Sequence, residues 1–290
     1  MASIRELRTR IKSVGNIKQI TRAMEMVATT KLRRFQDRAI ASRPYAQEIA
    51  QLLARLSSAL GEGLADRPLF NAGPGNATAV LMVTSDRGLC GAYNSRLFAA
   101  LEEWLRAQDR GDVRFFVYGR KGFQYLSKRG LKIERFLVEP PLEKVDFRAA
   151  KFAAKTTREL FLSGEYRSVL VLYTAFESMV KHVPTWLQIL PVERAAGDTG
   201  ESDATDVILE PDLETILDRL VPRYVETRIY NALLESVTSE YASRRMSMKN
   251  ATDAATEMQA ILKGIYNRKR QETITKDLLD IVGGAEALRG

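Results

Sequence analysis

The stretch "IKSVGNIKQITRAMEMVATTKLRR", Ile11 to Arg34, decides how the chain is read. It is basic and reads as helix, yet its apolar stripe does not stay on one face. Stepping by three and four from Ile4 reaches Leu7, Ile11 and Val14, then Lys18, Thr21 and Glu25, then Ala28, Leu32, Phe35, Ala39, Ser42, Ala46, Ile49, Leu53, Leu56 and Leu60. That is an a/d seam of coiled-coil type, polar in one place and again at Ser42. Across the polar gap, Ile17, Ile20, Met24 and Val27 keep the same spacing one residue earlier. One residue is ~100° around a helix, so the stripe steps off the seam. Either the coil stutters locally, or the helix carries a second working face, apolar at Met24 and ringed by Lys18, Arg22 and Lys31.

The far end of the chain repeats the spacing through Leu213, Ile216, Leu220, Arg223, Thr227, Tyr230, Leu234, Val237, Tyr241, Arg244, Met248, Ala251, Ala255, Met258, Leu262 and Ile265. Two such helices at opposite ends of one chain, with a compact insert between, most simply pair antiparallel. Pro44 and Pro222 mark a bend or a local start within them. At ~1.5 Å per residue, residues 2–60 span roughly 90 Å and 211–288 roughly 115 Å. The C-terminal helix therefore overhangs, and Ile274, Leu278, Ile281, Ala285 and Leu288 give the overhang an apolar stripe of its own. An amphipathic helix with no partner in its own chain buries that stripe in another protein. Gly283 and Gly284 allow simple fraying as the alternative.

Between the helices the period changes. "TAVLMVTS" (Thr78–Ser85), "VRFFVYG" (Val113–Gly119), "SVLVLYTAF" (Ser168–Phe176) and "VPTWLQILPV" (Val183–Val192) are β-type runs. Asn94–Gln108, Gly119–Arg129 and Phe147–Leu162 read as helices among them. The fold class is α/β: a long antiparallel coiled coil of the two terminal helices, with an inserted Rossmann-like domain and a mostly parallel sheet. The expected boundaries are 1–70 for the first helix, 76–196 for the insert and 206–290 for the second helix, which pairs with 1–60.

Charge is placed unevenly. The net charge is +8, and residues 1–43 hold 11 Lys/Arg against 3 Asp/Glu, the whole of that excess. A second basic stretch runs from Arg244 to Arg270. Both can be solvated helix faces, or both can face an acidic partner. No apolar run is long enough to span a membrane, and the N-terminus has neither the h-region nor the cleavage site of a secretory signal. One cysteine, Cys90, excludes an internal disulfide framework and suits a reducing compartment.

Catalytic chemistry finds little support. The first strand runs into "SDRGLCGAYNSRLF", a glycine-containing loop at a helix start where anions bind well in doubly wound folds. It is neither G-x-G-x-x-G nor a P-loop, and Gly88 and Gly91 are equally explained by a tight turn, with Asn94 as an N-cap. His182 is the one histidine, no Cys/His set can hold zinc, and Cys90 has no base near it in sequence. No cofactor and no metal is expected. A nucleic-acid-binding coiled coil is the serious alternative, but the basic residues interleave with the seam instead of forming a clean basic region.

Four motifs in order carry a resemblance: "SVGNIKQITRAMEMVATTKLRR", "SDRGLCGAYN", "MSMKNATDAATEM" (Met246–Met258) and "YNRKRQETITKDLLDIVGGAEAL" (Tyr266–Leu288). They run from one end of the chain to the other, and over essentially its whole length the chain resembles the gamma subunit of the F-type ATP synthase. The resemblance implies a rotating central shaft and not an enzyme in its own right. Its coiled coil would sit inside a hexamer of alpha and beta subunits, and its foot, with epsilon, would rest on the membrane ring of c subunits. Rotation driven by ion flow would cycle the catalytic beta sites, at the cytoplasmic face of a bacterial plasma membrane. The resemblance places Met24 against the acidic lever loop of beta. It places Arg244, Arg270, Gln271, Thr275 and Asp277 among the coupling contacts, and Asp206, Val207 and Glu210 at the foot. The chain lacks the extra regulatory segment of the photosynthetic branch, and one cysteine cannot form the dithiol of the chloroplast form.

Overall fold

The computed structural model describes residues 3–64, 66–107, 111–137, 139–193 and 212–287. Helix α1 runs Ile4–Leu60 and helix α5 runs Leu213–Ala287, with Pro44 and Pro222 carried inside them. Between them come β1 (Ala77–Val83), α2 (Tyr93–Ala107), β2 (Val113–Tyr118), α3 (Arg120–Lys128), β3 (Ile133–Leu137), α4 (Phe147–Leu162), β4 (Tyr166–Phe176) and β5 (His182–Leu190). The described residues form two compact units, one from residues up to 29 and from 244 onward, the other from residues 30–243.

In the larger unit the five strands lie in the order β3-β2-β1-β4-β5. Strand β1 is parallel to β2 and β4, β2 is parallel to β3, and β5 closes the sheet antiparallel to β4. Strand β1 has no charged residue and is buried almost throughout, as a central strand covered on both faces should be. Val80, Met82, Phe115, Val117 and Leu172 of the sheet pack with Leu97, Leu101 and Leu126 of α2 and α3. Trp104 stacks on Trp186 at 4.5 Å where α2 crosses the antiparallel edge. Gly119 ends β2 at φ 103°, and a Cβ there would lie 2.1 Å from the Thr84 carbonyl oxygen, so only glycine fits. Asp146 starts α4 by accepting from the Ala149 amide at 2.9 Å.

Two details differ from the sequence reading. Strand β3 is additional: "IERFL" holds two charges in five residues, and it lies at the sheet edge, where its charged side chains stay wet. Asn94 is not an N-cap. Helix α2 already begins at Tyr93, and Asn94 turns back to accept from the Ser85 amide at 3.2 Å and donate to Ser85 Oγ at 2.7 Å.

The same unit holds an antiparallel helix pair. Phe35 stacks on Tyr241 at 5.7 Å, and Ser42 Oγ donates to Asn231 Oδ1 at 3.1 Å, so rising numbers on α1 meet falling numbers on α5. Ser42, the polar break in the seam, is thus supplied with a polar partner. Arg38 adds a bond to the Tyr230 hydroxyl at 3.0 Å and another to the Val145 carbonyl at 2.7 Å.

A three-way bracket ties the insert to both helices. Lys31 Nζ of α1 donates to Glu143 Oε2 at 2.6 Å, and the Tyr241 hydroxyl of α5 donates to the same oxygen at 2.8 Å. Glu143 sits on a single 3₁₀ turn, Leu142–Lys144, whose neighbour Leu142 is fully buried. Lys31 and then Tyr241 hold the Glu143 carboxyl below its ordinary value of 4.5. A carboxylate held low stabilises the fold above its unfolded value, and that contribution is lost as pH falls through the folded one. Glu143→Gln should therefore destabilise the protein by about 1 kcal/mol at pH 7, the net worth of a charged bond that is partly exposed. Chemical unfolding at pH 7 and again below 4 checks this, and the gap between mutant and wild type should shrink in acid.

Candidate functional site

The smaller unit is a helix pair with an unusual division of residues. Inside it, Leu7, Thr21 and Ala28 of α1 and Met248 and Ala255 of α5 are buried. Thr21, only 9% exposed, meets the Thr252 hydroxyl at 2.8 Å. Gly15 lets Gln259 close in, since a Cβ at Gly15 would stand 3.0 Å from Gln259 Nε2. Between Leu7 and Met248 the inward face turns small and polar, at Gly15, Thr21 and Ala28 of α1 and at Thr252, Ala255 and Gln259 of α5.

Outside it the large apolar residues are on show. Ile17, Ile20 and Val27 are each more than half exposed, and Met24 is half-buried. The seam runs straight on through Lys18, Thr21 and Glu25, which are buried or half-buried. The coil therefore does not stutter; the second stripe is a separate, outward face. Lys31 leaves its rim, because its ammonium is committed to Glu143 in the larger unit.

On α5 the frame shifts. Met258 and Ile265, expected in the seam, are 54% and 48% exposed, while Gln259, Leu262, Tyr266, Lys269 and Thr273 take the half-covered positions. From Ile274 to Ala285 every residue is exposed, among them Leu278, Leu279, Ile281 and Val282. The apolar overhang read from the sequence is present up to there; Leu288 lies outside the described residues.

The anticipated site residues divide accordingly. Arg270, Gln271, Thr275 and Asp277 are all exposed within two turns of α5. Met24 stands on α1, half-buried beside the outward stripe. Arg244 is 8% exposed and turned into the protein. Asp206, Val207 and Glu210 lie outside the described residues. The sequence reading missed Met258, Ile261 and Ile265, which extend the outward apolar face on α5. Their spacing had assigned two of them to the seam.

The doubly wound domain places its ligand crevice at the carboxyl ends of β1 and β4, where the strand order turns back. Here α5 lies across it. Ser243 Oγ donates to the Cys90 carbonyl at 2.6 Å, in the loop between β1 and α2. Ser239 Oγ donates to the Thr174 carbonyl at 3.2 Å, and the Thr174 amide donates to Ser236 Oγ at 3.1 Å, at the end of β4. Tyr93 is buried in the same place, where desolvation first and the nearby Glu240 second push its hydroxyl far above the usual range. The protein's own helix is bonded to both sides of this crevice. The loop is drawn tight over it, with Leu89 at φ 63° and Gly91 at φ 56°. Cys90 is 3% exposed beneath. Ser243→Ala should remove the shorter of two bonds to the Cys90 carbonyl, which keeps the Tyr93 amide at 3.3 Å, and cost about 1 kcal/mol. Disulfide-reagent labelling of native protein should then modify Cys90 faster than in wild type; an unchanged rate means the loop is held by other contacts.

A family model described as ATP synthase matches residues 3–288. The ATP synthase gamma chain of Chlorobium phaeobacteroides strain DSM 266 is 38% identical over 296 residues, covering 100% of both chains. That of Symbiobacterium thermophilum is 42% identical, covering 97% of this chain and 96% of its own. Among solved structures, a central-stalk chain of the Tetrahymena thermophila mitochondrial ATP synthase matches with TM-score 0.59 at 25% identity, over 80% of this chain and 99% of that one. A chain of the Euglena gracilis mitochondrial ATP synthase has the same fold, with TM-score 0.68 at 20% identity, over 98% of this chain and 94% of that one.

Proposed function

The chain belongs to the ATP synthase gamma-chain family, and from that premise we propose that it is the central rotary shaft of an F-type ATP synthase. It couples rotation of a c-ring, driven by ion flow, to the conformational cycle of the beta subunits, and runs backwards when ATP is hydrolysed. The chain is a component of the synthase; the ATP chemistry belongs to its partners, alpha and beta above, with epsilon and the c-ring below. The alternative of a nucleic-acid-binding coiled coil has no support in the family or in the fold.

One observation carries the reading. The smaller unit closes its seam on Thr21, Ala28 and Ala255 as well as Leu7 and Met248, while leaving Ile17, Ile20, Val27, Met258, Ile261 and Ile265 in water. A free helix pair would do the reverse. Such a rod is built to be enclosed, and the exposed apolar end of α5 from Ile274 onward suits an apolar sleeve made by the hexamer. Basic residues on α1 suit acidic lever loops meeting it once per beta subunit in each turn.

In this reading Met24 meets the lever loop of beta, and Arg270, Gln271, Thr275 and Asp277 engage beta near the tip. Arg244, only 8% exposed, belongs to the same coupling set. Asp206, Val207 and Glu210 form the foot toward epsilon and the ring. Among the described residues no helix is long and apolar enough to cross a membrane. The chain reaches the cytoplasmic face of the bacterial membrane as a peripheral part of the complex.

A tagged chain should co-purify with alpha, beta and epsilon and bring down ATPase activity; purification without them overturns the reading. Alanine at Gln271 or Thr275 should lower coupled turnover by up to about fivefold, the rate equivalent of roughly 1 kcal/mol, while the isolated subunit stays folded. Met24→Lys should slow turnover by over-tightening the contact with the acidic loop. Normal rates in the purified complex remove each residue from the coupling set.

A further inference from the structure

The smaller unit also carries a basic groove that neither the helix pairing nor the apolar face explains. It has a volume of about 570 Å3 and opens along α1 around Gly15. Arg8, Lys12, Lys18 and Arg22 line it, and no carboxylate does. None of these four takes part in the ion pairs formed among the described residues, whereas Lys31, nine residues beyond Arg22, is spent on Glu143. Four like charges gathered within four turns of one helix repel one another, and the i,i+4 pairs Arg8–Lys12 and Lys18–Arg22 are each unfavourable in isolation. The arrangement becomes favourable only with a counter-charge present.

We infer that the groove is a binding site for phosphate oxyanions: a polyvalent phosphate, free or as the phosphate tail of a larger molecule. Two arginines supply forked donors and two lysines compact charge, the combination suited to phosphate. Asn16 and Gln19 on α1 add side-chain amides that donate to oxygen. Gln259 forms the wall on the α5 side, and it stands there because Gly15 has no Cβ to push it away. That wall is one residue long, so the groove is bounded along a short length. A compact anion of high charge fits it better than an extended acidic peptide. The inference rests on this lining alone and not on the shaft reading. If both hold, a seated anion cancels much of the charge that draws acidic loops to the rod, so phosphate and partner compete for Lys18 and Arg22.

The test is calorimetric titration of the full chain with sodium tripolyphosphate. One saturable site is expected, weakening steeply with added salt. The double substitution Lys12→Gln with Arg22→Gln should weaken it at least about tenfold, since two charge-assisted contacts are lost. Gly15→Ala, which presses on Gln259, should weaken it by a smaller factor with all four charges intact. Lys128→Gln on α3, exposed and remote in sequence, is the control and should bind as wild type. Circular dichroism of each variant establishes that it is folded. Loss of binding in the Lys128 variant equal to that in the double variant, or no saturable binding at all, overturns the proposal. So does tighter binding of an oligoglutamate peptide of equal charge, which would make the groove a peptide-docking face.

Discussion

The larger unit is organised around a stretch of α5 in which no residue is fully exposed. From Val225 to Ala242 every residue is buried or half-buried. One side meets α1 through contacts such as Phe35–Tyr241, and another meets the end of β4 through Ser236 and Ser239. A helix enclosed in this way has only a narrow, half-buried stripe at Arg228, Asn231 and Glu235 on which to place charge, so the polar groups on its buried sides need partners inside. Thr238 satisfies itself by donating to the Leu234 carbonyl at 2.6 Å, and the serines reach across to the sheet. Small hydroxyl side chains permit the close approach, and their bonds fix which turn of α5 faces which strand.

The smaller unit reverses that arrangement. Its helices bury Leu7 and Met248 but otherwise meet largely over small and polar residues, and they expose most of their aliphatic ones. By themselves such contacts stabilise little, since apolar burial contributes about 25 cal/mol per Å2 and little large apolar surface is buried between these two segments. The sequence pays for this with an apolar surface that must be covered by something else, which is why the family assignment and the burial pattern point the same way.

Much of this was legible in the residues. The α1 seam survives the polar gap at Lys18, Thr21 and Glu25, and the stripe of Ile17, Ile20 and Val27 faces outward as its one-residue offset implied. The frame on α5 beyond Met248 was not legible. Two sets of positions, one through Met258 and Ile265 and one through Gln259 and Tyr266, have the same spacing. Hydrophobicity favours the first. The choice is made by α1, where Thr21 needs a hydroxyl partner and Gly15 leaves room for an amide. A single helix cannot reveal what its neighbour requires. Strand β3 was hidden for a related reason: its charges are tolerable only because it lies at a sheet edge, a fact of topology that "IERFL" does not contain. The exposed tip residues Gln271 and Thr275 came from the motif; periodicity marks them only as solvent-facing.

The serines at 236, 239 and 243 have a mechanical consequence. They lie within eight residues, roughly 10 Å of helix, and tie α5 to two places, the loop after β1 at Cys90 and the end of β4 at Thr174. A twist applied about the helix axis loads these bonds sideways and together, so no one of them must bear it alone. The insert is keyed to its helix as a hub is keyed to an axle. Slippage at this joint requires several buried hydrogen bonds to fail at once.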